Sequence, residues 1–161
     1  MTQPPPVEAI TPTRNAKRLF RLTNPAIVAI LRSPFHAVLS GIVVLITLRG
    51  RRTGNTYTVP VEYHDLDGTI TVLTAGAWRH NLRGGAEVRL LLRGELVTAH
   101  AELIEDPDEV ARTYGTLLRR TGFSKARRLG MKMRERRMPI HAELVEALGG
   151  RRAVVRLTQE P

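Results

Sequence analysis

Cysteine is absent from the 161 residues of this chain, so disulfides, thiolate catalysis and cysteine-ligated metals are excluded. Aromatic residues make up 4% of the sequence, which argues against a surface that stacks nucleic-acid bases. No apolar run is long enough to cross a bilayer, since the best candidate, residues 25–48, is interrupted by Arg32, Pro34 and His36. The N-terminus lacks the basic-then-apolar pattern of a signal peptide. Together these absences predict a cytoplasmic protein.

Acidic residues are missing from a long stretch of the chain. None occurs between Glu8 and Glu62, and a second basic block over residues 119–137 contains one carboxylate, Glu135. The first stretch nevertheless holds many cations: Arg14, Lys17, Arg18, Arg21, Arg32, Arg49, Arg51 and Arg52. With a net charge of +10, the chain should attract nucleic acid, acidic lipid or a polyanionic cofactor. A GC-rich genome explains the preference for arginine over lysine equally well.

Several catalytic motifs are also missing. There is no Walker loop and no G-x-G-x-x-G, so neither common phosphate cradle is present. None of the three serines lies in a nucleophile elbow. The histidines (His36, His64, His80, His100 and His141) lack ligand spacing, so we expect no metal site. Carboxylates are too sparse in the first half for paired acid–base chemistry.

The N-terminal part of the chain predicts a tail followed by helices. Residues 1–13 are proline-rich and lack periodicity, which is typical of an unpacked segment. Residues 14–39 have roughly helical apolar spacing, with Asn24-Pro25 as a start signal and Ser33-Pro34 as a break. We expect two or three short amphipathic helices with basic outer faces. They either cover a sheet or make peripheral contact with a membrane surface.

The remainder predicts an α+β domain over residues 14–161. Alternation and turn signals indicate roughly six strands, over residues 41–48, 56–63, 69–75, 86–92, 96–105 and 152–157. Two helices are expected, one starting at the Asp106-Pro107 cap and ending near Gly122, the other over residues 139–148. Pro60 cannot donate to a strand ladder, so its strand lies at an edge or has an unpaired stretch. An opened barrel allows this, whereas a closed one does not.

Two short segments are candidates for a binding site. In the turn Arg49 to Gly54, two glycines bracket cations, and Arg51 and Arg52 can fork onto phosphate or carboxylate oxygens. The alternative is a solvated hairpin turn. Trp78 and Asn81 lie three residues apart on one predicted helical turn, where the indole can wall a planar ring and the amide can donate and accept. The alternative role of Trp78 is to anchor the core.

The order of these motifs resembles the flavin/deazaflavin oxidoreductase family, and within it the actinobacterial deazaflavin-dependent nitroreductases or quinone reductases. The motifs that carry the resemblance are Leu31-Arg32-Ser33-Pro34, Arg49-Gly50-Arg51-Arg52-Thr53-Gly54, Val59-Pro60-Val61, Trp78-Arg79-His80-Asn81-Leu82-Arg83-Gly84-Gly85 and Val88-Arg89-Leu90. They extend over roughly residues 24–105. The resemblance implies a pyridoxamine-phosphate-oxidase-like split β-barrel of mainly antiparallel strands with covering helices, which usually pairs as a homodimer.

The resemblance also implies a cofactor, coenzyme F-420, which would pass a hydride to a small organic acceptor. Transferred residue by residue, the matches to its phosphate-binding turn are Arg51, Arg52, Thr53 and Gly54. Val59 and Pro60 match the strand beside the ring, and Trp78 and Asn81 match the family's W-x-x-N-L. A basic chain suits the anionic tail of this coenzyme, and no nucleic acid is expected as partner.

Two departures from the family pattern keep alternatives open. The loop before Trp78 is short, and Tyr57 stands where a second basic residue is common. FMN is therefore the alternative cofactor, and a non-catalytic binder of flavin, haem or lipid is the alternative function. An anionic-surface or nucleic-acid binder ranks lower. The catalytic residues remain unknown, since Tyr114 is the one candidate proton donor and solvent can fill that role.

Overall fold

The computed structural model describes residues 5–10 and 24–161. Residues 1–4 and 11–13 of the predicted tail, and residues 14–23 of the predicted helical segment, lie outside the described residues. Helix α1 is described over residues 24–32 and ends where the Ser33-Pro34 break was predicted. The Ser33 hydroxyl donates to the carbonyl of Ile30 at 2.7 Å, and the amide of Phe35 donates to that hydroxyl at 3.1 Å. No helix of the described residues is long and apolar enough to span a membrane.

The described chain contains nine strands and two further α-helices. The strands are β1 Val7–Ala9, β2 Val43–Arg49, β3 Thr56–Glu62, β4 His64–Leu66, β5 Thr69–Thr74, β6 Ala86–Leu92, β7 Glu95–Ile104, β8 Met131–Met133 and β9 Ala153–Gln159. The helices are α2 Pro107–Thr121 and α3 His141–Leu148, and 3₁₀ turns cover His36–Val38, Ala77–Leu82 and Phe123–Lys125. The predicted helical turn that carries Trp78 and Asn81 is therefore confirmed.

Seven strands form the main sheet, in the order β3-β2-β6-β7-β9-β5-β4. The pairs β2–β3, β2–β6, β6–β7 and β4–β5 are antiparallel. Strands β3 and β4 lie at opposite edges of this sheet, yet Tyr63 alone separates them in the chain. The sheet must therefore curl until its two edges approach each other at Tyr63. This confirms the predicted α+β fold with a curled, mainly antiparallel sheet.

The single domain stays a prediction, and the chain divides into two compact units whose segments alternate. One unit comprises Met1–Thr11, Leu73–Ala75 and Ile104–Val154, and the other comprises Pro12–Val72, Gly76–Leu103 and Val155–Pro161. We call them the helical unit and the sheet unit. Because the cofactor motifs lie between residues 31 and 90, the predicted site belongs to the sheet unit.

The helical unit corrects the expected unpacked tail. Residues Val7–Ala9 form β1, which pairs antiparallel with β8, and Val7 and Ala9 are buried. The guanidinium of Arg152 donates hydrogen bonds to the carbonyls of Ile10 and Gly130. Three residues are too short a stretch to show strand periodicity among prolines, so only tertiary pairing defines this strand. Helix α2 begins as predicted, with the Asp106 side chain accepting from the Glu109 amide at 2.9 Å.

The core of the sheet unit lies on one face of β2 and β6. Val44, Ile46 and Leu48 of β2 point into it, whereas Leu45 and Thr47 alternate onto the opposite face. The same core contains Val88, Leu90, Leu92, Ala99, Ala101, Val155 and Leu157. Full burial of one such aliphatic side chain contributes roughly 1.5–3 kcal/mol. The predicted edge position of Pro60 is confirmed, because β3 ends the sheet.

Candidate functional site

The turn between β2 and β3 is shaped by its own backbone and by two side chains. The amide of Gly50 donates to the carbonyl of Asn55 at 2.8 Å, and the amide of Gly54 donates to the carbonyl of Gly50 at 2.9 Å. Gly54 has φ +70°, a conformation that favours glycine. The Arg49 side chain donates to the carbonyl of Gly54 at 3.0 Å. The turn thus has a defined shape, and Arg51 and Arg52 lie exposed upon it.

Thr53 and Tyr57 contribute to this shape from inside the turn. Their hydroxyl oxygens lie 3.2 Å apart, and the amide of Asn55 donates to the Thr53 hydroxyl at 3.2 Å. The Tyr57 ring lies over Gly50, where an added Cβ would come within 2.7 Å of ring carbons. Tyr57, which stands where the family often has a basic residue, therefore packs on the turn instead of adding a charge to it.

Asn81 joins this turn to the 3₁₀ turn that carries Trp78. Its Oδ1 accepts from the backbone amide of Arg51 at 3.0 Å, across 30 residues of sequence. Its Nδ2 donates to the carbonyl of Trp78 at 3.0 Å. A Cβ added to Gly84 would lie 3.8 Å from Nη2 of Arg51, so the following glycine pair also borders this arginine. Two motifs that are separate in sequence lie together here.

Trp78 and Val59 are both partly buried and pack against the core of the sheet unit. Pro60 is the next residue on the strand and therefore faces the other side, opposite Leu45. The structure thus brings Arg51, Trp78 and Asn81 together and places Pro60 on the opposite sheet face from Val59. The core-anchor role of Trp78 and a role beside a ligand are compatible, because the indole remains partly exposed.

The electrostatics of the turn favour an anion. Within the part of the chain that the structure describes, neither Arg51 nor Arg52 forms a salt bridge, and both side chains are exposed. Two such guanidinium groups beside a glycine-containing turn can bind phosphate or carboxylate oxygens in bidentate geometry. The turn therefore provides a donor set for phosphate or carboxylate oxygens.

A separate groove of about 840 Å³ lies on the outer face of the sheet. One wall is the end of α1 and the segment after it, and the floor is formed by β2, β3, β6 and β7. Its lining includes Leu31, Arg32, Pro34, Leu45, Thr47, Thr56, Thr58, Arg89, Leu91, Leu96 and Thr98. None of the predicted cofactor residues is among the lining residues. Sequence reasoning missed this groove, although Thr47 inside an apolar run and Arg89 at an alternating position were available signals.

Other candidates for chemistry are limited. Tyr114 is fully buried in the helical unit, with 0% of its surface exposed, so it does not reach solvent as a proton donor would. Among the described residues, no group of three or more histidine, aspartate or glutamate side chains is placed to hold a metal ion.

No protein-family model matches the chain, and no curated protein is significantly similar to it. Solved structures do resemble it. A conserved hypothetical protein of Mycobacterium tuberculosis has 16% identity and a TM-score of 0.45, with 78% of this chain and 80% of that chain covered. A structure described as a domain-swapped dimer has 13% identity and a TM-score of 0.47, with 88% and 98% covered.

A third similar structure is described as an F420 reductase. It has 10% identity and a TM-score of 0.41, and the match covers 83% of this chain and 92% of that chain.

Proposed function

We propose that this protein is a coenzyme F-420-dependent reductase of the nitroreductase or quinone reductase type. It would transfer a hydride from the reduced coenzyme to a small organic acceptor. The observation that carries the proposal is the hydrogen bond from the Arg51 amide to Asn81 Oδ1. It joins the arginine turn to the Trp78 turn, so two motifs that the sequence pairs with opposite ends of one cofactor are held side by side.

Each predicted cofactor residue has a role that its placement supports. Arg51 and Arg52, exposed on the turn, bind the phosphate and the acidic tail. Thr53 and Gly54 maintain the turn's shape, with Gly54 supplying the left-handed backbone conformation. Asn81 acts through the backbone, because both ends of its amide are engaged with Arg51 and Trp78. The sequence spacing had suggested this amide as a donor and acceptor for a ligand.

Trp78 and Val59 would position the ring, whereas the side chain of Pro60 faces the other side of the sheet. Trp78 offers an aromatic wall that is anchored in the core, and Val59 packs on the same core. Pro60 presents a backbone without a donor on the edge strand. When bound, F-420 supplies the hydride chemistry, and the protein supplies orientation and exclusion of water. FMN is the alternative flavin, and it would use the same arginines through its single phosphate.

A non-catalytic binder of a flavin, haem or lipid is the second candidate. Its support is the short connection from β5 to the Trp78 turn, where Ala75 and Gly76 are the only intervening residues. So short a connection provides few polar groups around a bound ring.

We further propose that the protein is a cytoplasmic homodimer that acts on a small molecule rather than on nucleic acid. Peripheral membrane contact through the basic N-terminal helices belongs to this proposal as well.

Titration of the purified protein with oxidised and reduced F-420, followed by coenzyme fluorescence, tests the proposal. We expect saturable binding, followed by turnover of at least one acceptor from a panel of quinones and nitroaromatic compounds. The absence of binding to either redox form removes the proposal. Tight binding without turnover of any acceptor supports the non-catalytic binder instead. FMN titrated in parallel distinguishes the two cofactors.

A further inference from the structure

We propose that the groove on the outer sheet face binds an amphipathic anion, with a carboxylate or phosphate head and an unbranched apolar tail. None of the predicted cofactor residues lines the groove, although Pro60 lies on the same sheet face, opposite Leu45. Binding of the amphipathic anion is measured without the coenzyme, so it does not depend on the proposed reductase activity.

The head of the ligand is specified by a polar row that crosses four neighbouring strands. Thr58 lies opposite Thr47, Thr47 lies opposite Arg89, and Arg89 lies opposite Thr98. The hydroxyl oxygens of Thr47 and Thr58 are 3.1 Å apart. Residues opposite one another on neighbouring strands have Cβ atoms roughly 5 Å apart. One guanidinium between threonine hydroxyls is thus a donor set for an oxyanion.

The tail is specified by an apolar row beside the polar one. Leu45 lies opposite Leu91, and Leu91 lies opposite Leu96. These leucines are two residues along their strands from the polar row, which is about 6–7 Å. Leu96 is 80% exposed, and Leu31 forms part of the facing wall. The groove therefore changes from polar to apolar over the length of a few methylene groups.

Charge and size favour an anion of moderate length. Arg32 and Arg89 line the groove, and no carboxylate is among its described lining residues. A volume of about 840 Å³ lies in the usual range of small-molecule sites, roughly 300–1,000 Å³. A cationic groove with an apolar floor selects against cations and against purely polar anions.

Calorimetric titration of the coenzyme-free protein tests the proposal, with dodecanoate, dodecyl phosphate and neutral dodecanol as ligands below their aggregation concentrations. We expect dodecanoate or dodecyl phosphate to bind at least about tenfold more tightly than dodecanol, since a charge-assisted hydrogen bond is lost with the neutral head. The tighter of the two anions identifies the head. Hexanoate should bind more weakly than dodecanoate, because fewer methylene groups are buried.

Two groove variants and one control variant test whether the anion binds in this groove. Arg89→Met keeps the length of the side chain and should weaken dodecanoate binding about tenfold or more. Arg112→Ala, an exposed arginine on α2 of the helical unit, removes the same charge away from the groove and should leave the affinity unchanged. Thr47→Val keeps the shape and removes one hydroxyl, and should weaken binding a few-fold. If Arg89→Met does not fold, Thr47→Val becomes the variant that decides the test.

The proposal is overturned by any of three results. These are dodecanol binding as tightly as the anions, a folded groove variant binding dodecanoate as tightly as wild type, and neither anion binding at all. A second copy of the chain is the competing occupant. Sedimentation tests this alternative. If the protein is a dimer that neither binds dodecanoate nor dissociates in its presence, and if Leu91→Arg converts it into monomers, the groove is an interface with that copy and the proposal is overturned.

Discussion

Two pairs of arginines, Arg134 and Arg137 in the helical unit and Arg51 and Arg52 in the sheet unit, differ in whether a carboxylate neutralises them. In the helical unit, Arg137 binds Glu143 at 2.6 Å and Glu135 at 2.7 Å, and Arg134 binds Glu8 at 2.9 Å. In the sheet unit, Arg51 and Arg52 stand exposed on a rigid turn without a described salt bridge. A guanidinium already neutralised by a carboxylate supports the fold, whereas an exposed one remains available for a ligand. Net charge alone does not separate these two uses.

The largest expected effect comes from removing the available charges. The double variant Arg51→Ala/Arg52→Ala should lose on the order of a hundredfold or more in F-420 affinity, since each charge-assisted hydrogen bond contributes roughly 1.5–3 kcal/mol. The fold should survive, because both side chains are exposed. The matched double variant Arg134→Ala/Arg137→Ala should keep its coenzyme affinity. Equal affinities for the two doubles in fluorescence titration would abolish the contrast between the units.

The salt dependence of F-420 affinity tests the role of the two exposed arginines in a second way, with a smaller expected effect. Exposed charges are screened over about 10 Å at 0.1 M ionic strength, so F-420 affinity of the wild type should fall several-fold between low and physiological salt. The Arg51→Ala/Arg52→Ala variant should show a flatter dependence. Titrations at four salt concentrations measure both slopes. Parallel slopes would mean that the turn does not meet the anionic part of the coenzyme.

Asn81 tests whether position matters as well as charge. Asn81→Ala removes the acceptor for the Arg51 amide and the donor to the Trp78 carbonyl. We expect a loss of about 1 kcal/mol in the free energy of unfolding per hydrogen bond, and a weaker F-420 affinity than wild type. Asn81→Asp retains the Oδ1 acceptor and should keep more of the stability, while its negative charge beside the arginine turn should lower the affinity for the anionic coenzyme. Thermal and urea unfolding, with the same titration, provide the readout. If Asn81→Ala has the stability and the F-420 affinity of the wild type, the hydrogen bonds of Asn81 do not couple the arginine turn to the Trp78 turn.

The smallest effect is on acid stability of the helical unit. Hydrogen bonding to Arg137 lowers the pKa of Glu143 below its ordinary 4.5, and hydrogen bonding to Arg134 does the same for Glu8. A lowered folded-state pKa gives a stability contribution that is present above pH 4.5 and is lost as the pH falls through the folded value. Glu143→Gln should therefore melt slightly below wild type at neutral pH. The two melting curves should converge in acid, and a constant gap would refute this linkage.

Much of the fold was predictable because it is specified locally. Alternation identified β2, β3, β5, β6, β7 and β9 within a few residues, and the Asp106-Pro107 cap identified the start of α2. The turn between β4 and β5 has positive φ at both Asp67 and Gly68. Strand β1 was missed because three residues without periodicity become a strand only through pairing with β8.

The candidate site was predictable in its parts but not in its connections. The motif order placed Arg51 and Asn81 in one family pattern, and the spacing suggested that the Asn81 amide donates and accepts at a ligand. The structure engages both ends of that amide with the backbone instead, which is a contact across 30 residues. The row from Thr58 to Thr98 was not predicted, since each member is an ordinary strand residue until register aligns the four strands.

By itself, the sequence determined the strand and helix patterns, the excess of arginine and the absence of thiol chemistry, because these depend on residue type and on neighbours a few positions away. Only the tertiary structure decided which arginines are neutralised, which face of the sheet carries a groove, and which distant motifs touch. Those outcomes depend on strand register and on contacts between residues far apart in the chain, where a shift of one residue turns every side chain to the other face.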